Sequence, residues 1–163
     1  MNFFKKTINS IESLYYNINN GLKNLIEWFP VVWKDRDWDS YYIYKVMIFK
    51  IKKQMNSMDK YGMHLYKDRD LKYMRICIAL LERIVAENYL HENYWAKKID
   101  ERFGEFRIIK GRGFCHERCI TDEDKKLEKY WSTKSYKLAD YLLKQDFELF
   151  GKIFARQSKN WWD

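Results

Sequence analysis

Proline is nearly absent from this chain, with Pro30 alone, and glycine is scarce, with six among 163 residues. Alongside an apolar fraction of 47%, this excludes the composition of a disordered or low-complexity chain, and the chain is expected to fold mostly as helix. Cysteine is sparse too. Cys77 lies far from Cys115 and Cys119, and an odd count of three fits a reducing cytosol better than a secreted disulfide framework. No apolar run is long enough to span a bilayer, and Met-Asn-Phe-Phe-Lys-Lys is not followed by a signal-peptide core, so no membrane association is expected.

The motifs of familiar chemistry are missing as well. There is no Walker loop, no strand-Gly-x-Gly-x-x-Gly-helix unit, no Gly-x-Ser-x-Gly and no His-Glu-x-x-His, and His64, His91 and His116 form no nucleophile or metal pattern. Cys115-His116-Glu-Arg-Cys119 has the form of half a zinc site. A closed site needs four ligands, and Cys77, His64 and His91 belong to no second paired motif, so neither metal nor cofactor is expected. The chain reads as a binding protein and not as an enzyme.

What is present is positive charge and helical periodicity. Lys and Arg number 31 against 23 Asp and Glu, a net charge of +8 that favours anionic partners. The length suits a single helical domain over residues 1–163. Ile8, Ile11, Leu14, Tyr15, Ile18, Leu22, Leu25 and Ile26 predict a first amphipathic helix that ends before Pro30. Trp38, Tyr42, Val46, Phe49 and Lys53 predict a second, starting at Asp37 or Asp39.

Leu71, Met74, Ile78, Leu81 and Val85 predict a third helix, N-capped by Asp68 or Asp70 and extending to Phe103 with a bend near residues 88–92. Thr121-x-x-Asp124 resembles a capping box opening a further helix, which Ser132-Thr-Lys-Ser135 either interrupts or joins. The inferred fold is all-α: an up-and-down bundle of four or five helices with a short irregular or hairpin insertion around residues 105–120.

Lys-Asp-Arg-Asp occurs twice, after Trp33 and after Tyr66. A true internal repeat is disfavoured, because helical repeats hold two helices per unit and only one lies between the copies. Structurally, both copies are helix entrances with Asp at the cap; functionally, a helix start flanked by Lys and Arg suits phosphate. An antiparallel second and third helix would put the two copies at opposite ends, unless self-association into a homo-oligomer reunites them. The first copy, Trp33, Lys34, Arg36 and Trp38, would then share an end with Arg107, Lys110 and Arg112 of the glycine-flanked loop, joining phosphate pairing to base stacking. Arg69, in the second copy, completes the candidate ligand-binding set.

Trp28-Phe-Pro-x-x-Trp-Lys-Asp-Arg-Asp-Trp-Asp39, Arg69-Asp70 ahead of Met74, Leu81-Glu-Arg83 and the closing Trp-Trp-Asp163 together resemble a group of small tailed-bacteriophage proteins. That resemblance implies a setting, the cytoplasm of an infected bacterium, and no catalytic residue. The expected function in that setting is capture of an anionic small molecule, such as a nucleotide immune signal, to counter host defence. The alternatives are a nucleic-acid-binding or host-protein-binding accessory protein, or an enzyme acting on such a nucleotide.

Overall fold

The computed structural model describes residues 2–36, 38–62, 65–111 and 113–161, with side chains from residue 11 onward. In chain order the elements are α1 (Asn2–Trp33), α2 (Tyr42–Tyr61), α3 (Lys67–Ala86), α4 (Tyr89–Glu92), α5 (Tyr94–Phe103), β1 (Phe106–Ile109), β2 (Gly113–His116), α6 (Asp122–Gln157) and a 3-10 turn (Ser158–Asn160). The fold is all-α, with six helices among the described residues where periodicity predicts four or five. Two compact units divide the chain, Met1–Phe49 and Lys50–Asp163, with the division falling inside α2.

In the first unit α1 runs through Pro30 to Trp33 instead of stopping before it. Pro30 forfeits the bond to the Ile26 carbonyl, but only three helical residues follow, so little helix remains to be disrupted. The edge of Trp28 meets the Phe49 ring with centroids 4.7 Å apart. Asp39 prepares the entrance to α2: its carbonyl accepts from the Tyr42 N–H and its Oδ1 from the Tyr41 N–H at 3.1 Å. Asp37, the other predicted start, lies outside the described residues.

In the second unit Leu71, Met74, Cys77, Ile78, Leu81 and Ile84 bury one face of α3. α6 packs against α3, α4 and α5 and so forms the spine of this unit. Asp70 is not the cap predicted for α3. Its own N–H already bonds the Tyr66 carbonyl at 3.1 Å, and its fully buried carboxylate accepts from Arg69 Nε at 2.9 Å. Tyr66 occupies the cap position with no side-chain hydrogen bond.

The predicted third helix is split into α3, α4 and α5 at the expected bend. Glu87 ends α3 in the left-handed region, with φ 53°. Asn93 then opens α5, its Oδ1 accepting from the Trp95 and Ala96 N–H groups at 3.0 and 3.1 Å. Beyond Gly104, β1 and β2 pair antiparallel, with Phe106 opposite His116 and Ile109 opposite Gly113. Gly111 and Gly113 have φ of 84° and 76°, which explains glycine in this reversal.

Ile99, Phe103 and Cys119 form a small core with Trp131 packed on it. Thr121 and Asp124 complete the predicted capping box, and the Thr121 hydroxyl holds the Asp124 carboxyl below its ordinary pKa. Ser132–Ser135 is absorbed into α6: Thr133 bonds back to the Lys129 carbonyl, and the Ser135 hydroxyl donates to the Leu90 carbonyl. Trp161 docks on the second unit, buried edge-on against Phe154, while its carbonyl accepts from Gln54 at 2.6 Å. Trp162 and Asp163 lie outside the described residues.

Burial separates the thiols chemically. Cys77 is fully enclosed and its pKa is pushed up from 9.0 to about 11 by desolvation. Cys119 is buried, and Cys115 is partly open. A neutral-pH thiol reagent is therefore expected to label Cys115 in the folded chain and Cys77 only after unfolding; mass-spectrometric mapping of the label checks this. Above pH 9 the unfolded chain loses the Cys77 proton while the folded chain keeps it. This residue's stabilising contribution is thus full below pH 9 and is lost as the pH rises towards 11.

Candidate functional site

The connector between α1 and α2 carries four of the sequence-predicted site residues, and local backbone bonds shape it. The Asp35 N–H returns to the Val32 carbonyl at 3.1 Å and the Asp39 N–H to the Arg36 carbonyl at 2.9 Å, so the chain turns tightly twice. Arg36 Nη1 donates to the Asp35 carbonyl at 2.7 Å and the Trp33 carbonyl at 3.4 Å. These bonds hold the guanidinium beside its own turn.

Trp33 is 70% and Trp38 83% exposed, and Lys34 is exposed between them. The Trp33 ring has Phe29 for a neighbour, with centroids 5.2 Å apart and planes tilted by 32°. Asp39 Oδ2 pairs with Lys45 at 3.1 Å, and Asp35 stands exposed between Lys34 and Arg36. Two exposed indoles and two cations stand within six residues, interleaved with Asp35 and, in the sequence, Asp37, so the segment offers stacking surface and individual cation contacts without a net positive charge.

The other predicted residues belong to the second unit, where Arg69 and Arg107 have carboxylate partners. Arg69 lies over the Tyr66 ring at 4.4 Å while bound to Asp70, so it anchors the entrance to α3. Arg107 is ion-paired with Glu117 across the base of the hairpin. Lys110 is exposed at the hairpin tip, and Arg112 lies outside the described residues. Trp33, Lys34, Arg36 and Trp38 are thus neighbours in one unit, whereas Arg69, Arg107 and Lys110 are distributed over another.

A different concavity was not legible in the sequence. Between α3, α4 and α6 lies a cleft of about 660 Å³, lined by Glu82, Arg83, Tyr89, Glu92 and Asp146 among others. Asp146 is buried at its floor; Oδ1 accepts from Arg83 at 2.5 Å and Oδ2 from the Tyr89 hydroxyl at 2.6 Å. Beside it the buried Asn93 amide donates to the Ser135 hydroxyl at 2.9 Å. The available signal was register: Ser135, Ala139, Asp146 and Phe150 share the buried face of α6, so two polar residues occupy apolar positions. Glu82, Glu92 and Asp146 outnumber Arg83 here, which makes this cleft a poor host for an anion.

His116 sits near the hairpin with Nδ1 2.8 Å from the Gly104 carbonyl oxygen and Nε2 3.7 Å from Glu128. Among the described residues no group of three or more His, Cys, Asp and Glu side chains converges as a metal site would require. Likewise no described helix is long and apolar enough to cross a membrane. Comparison with protein-family models, with curated proteins and with solved structures found no match. No family or fold therefore points to an enzymatic or a non-enzymatic role.

Proposed function

We propose that this chain is a non-enzymatic binding protein that captures an anionic ligand bearing an aromatic base, of the nucleotide class, on the connector between α1 and α2. The observation that carries this reading is the pair of solvent-facing tryptophans, Trp33 and Trp38, flanking Lys34 and Arg36. Large indole faces held in water gain most by stacking, and the adjacent cations supply phosphate pairing. In an infected bacterial cytoplasm, the setting implied by the sequence resemblance, capture would withdraw a nucleotide immune signal from host defence. The net charge of +8 also supports a second reading, in which the same surface binds nucleic acid.

A nucleotide panel screened by thermal shift tests the first reading, followed by heat release and analysis of the ligand. Recovery of intact nucleotide indicates capture, and recovery of products indicates catalysis. If no nucleotide raises the melting temperature, the capture reading fails. Trp38→Ala and Arg36→Ala are each expected to weaken binding about tenfold or more, since one stacked base contributes roughly 1–3 kcal/mol. A gel shift of DNA or RNA that disappears with added salt, without a nucleotide response, would favour the second reading.

A further inference from the structure

Helix α1 is 32 residues long, which at 1.5 Å per residue extends about 48 Å. Its described apolar side chains, from Ile11 onward, are mostly exposed. Ile11, Tyr15, Ile18, Leu22, Leu25, Phe29 and Val32 are between 54% and 74% exposed. Trp28, on the flank, is the side chain of α1 that meets the Phe49 ring, and that contact leaves the apolar face open.

The spacing of those seven residues is 4, 3, 4, 3, 4 and 3, without a break. In the sequence it extends back through Ile8 and Phe4 at the same alternation. A core-facing helix of a globular protein needs only an apolar stripe of period 3.6, which drifts around the helix over this length. A strict 3.5 period instead keeps one seam in line for a partner helix that supercoils with it. Tyr15, Leu22 and Phe29 occupy one seam position of the heptad, and Ile11, Ile18, Leu25 and Val32 the other. Leu14 and Ile26, also exposed, broaden the seam on either side.

We propose that α1 is an oligomerisation helix, and that its seam is covered by α1 of further copies of this chain in a left-handed coiled coil. A heptad seam is self-complementary, because knobs and holes of the same spacing occur on each copy. The area also suffices: at roughly 80 Å² for each aliphatic side chain, the seam and its flanks on two copies bury on the order of 1,500 Å², the size of a stable interface. β-branched Ile11, Ile18 and Val32 fill three of the four places at one seam position, and the broad flanks add to this. Both features favour three or four strands over two.

A membrane surface is the other medium such a face could meet. Helices built for that role carry many cations opposite the apolar side, whereas α1 has three lysines against two glutamates and a polar face rich in asparagine. Charge thus selects a protein mate.

Sedimentation equilibrium of the intact chain over a broad concentration range tests the proposal. A discrete mass of two or more chains is expected, falling to one chain in the double variant Ile18→Asp, Leu25→Asp. Adding the same charges on the opposite side, with Ser13→Asp and Asn17→Asp, should leave the mass unchanged. Unchanged helical circular dichroism, with Cys77 still protected from a thiol reagent, shows that each variant keeps α1 and the second unit folded. A wild-type chain that sediments as one copy at every concentration overturns the proposal. So does an assembly that survives the double variant, and so does a single-copy chain that co-sediments with vesicles of phosphatidylethanolamine and phosphatidylglycerol.

Discussion

Phe103→Ala is expected to lower the unfolding free energy by about 3–5 kcal/mol, the range for removing a fully buried aromatic ring. Phe103 is 1% exposed. Its ring packs against Trp131 of α6 with centroids 5.6 Å apart and faces His116 of β2 at 6.5 Å. Its carbonyl also accepts from the Arg118 N–H at 2.7 Å, so the same residue seats the hairpin by side chain and backbone. Urea melts followed by circular dichroism measure the loss. Phe103→Leu, which keeps most of the volume, should cost roughly 1–1.5 kcal/mol. A change below 1 kcal/mol for Phe103→Ala would mean that α5, α6 and the hairpin do not share this core.

The second large effect is expected at Asn93. Asn93→Ala should destabilise the chain by about 2–4 kcal/mol, because the cap of α5 and a buried polar network are lost together. The amide nitrogen donates to the Tyr89 carbonyl at 2.8 Å and to the Ser135 hydroxyl at 2.9 Å, and that hydroxyl passes its own proton to the Leu90 carbonyl. Alanine would take the donor from the part-buried Tyr89 carbonyl and from the buried Ser135 hydroxyl, which costs more than the bonds contribute in net terms. Asn93→Ser restores a capping oxygen and cannot restore the donors, so its loss should fall between wild type and alanine in the same melts. Equal losses for the two variants would show that the cap contributes nothing here.

The reach of sequence reasoning follows from distance along the chain. Helices, the bend near Asn88–Glu92, the Thr121 capping box and the glycine-flanked hairpin were legible, because each depends on residues a few positions apart. The boundaries around Trp33 and Trp38 were not legible: α1 runs on past Pro30 to Trp33, and Trp38, expected on the apolar stripe of the second helix, stands exposed before α2 begins at Tyr42. The expected union of Trp33, Lys34, Arg36 and Trp38 with Arg107, Lys110 and Arg112 is of another kind, since no local pattern places one compact unit against another. Asp70 shows the limit at shortest range: an acidic residue before an apolar run has the signature of a cap, but here it lies one turn inside the helix and buried beside Arg69.

The Asp146 cleft lies beyond local reading altogether. Arg83 and Tyr89 are 63 and 57 positions from Asp146, and nothing in the periodicity of α3 or α6 pairs them. Only the packing of these helices brings a guanidinium and a phenol to one carboxylate.

By itself, the amino-acid sequence determined the helical class, the ends set by Thr121 and Gly104, and an aromatic, highly charged segment from Trp33 to Asp39, because hydrophobic period, capping and turn chemistry act within a few residues. Tertiary structure decided which polar side chains are buried, that Arg69 and Arg107 are occupied by carboxylates, and that the described apolar face of α1 is left open by its own unit. The period of a helix specifies which residues share a face, whereas what covers that face depends on surfaces distant in the chain.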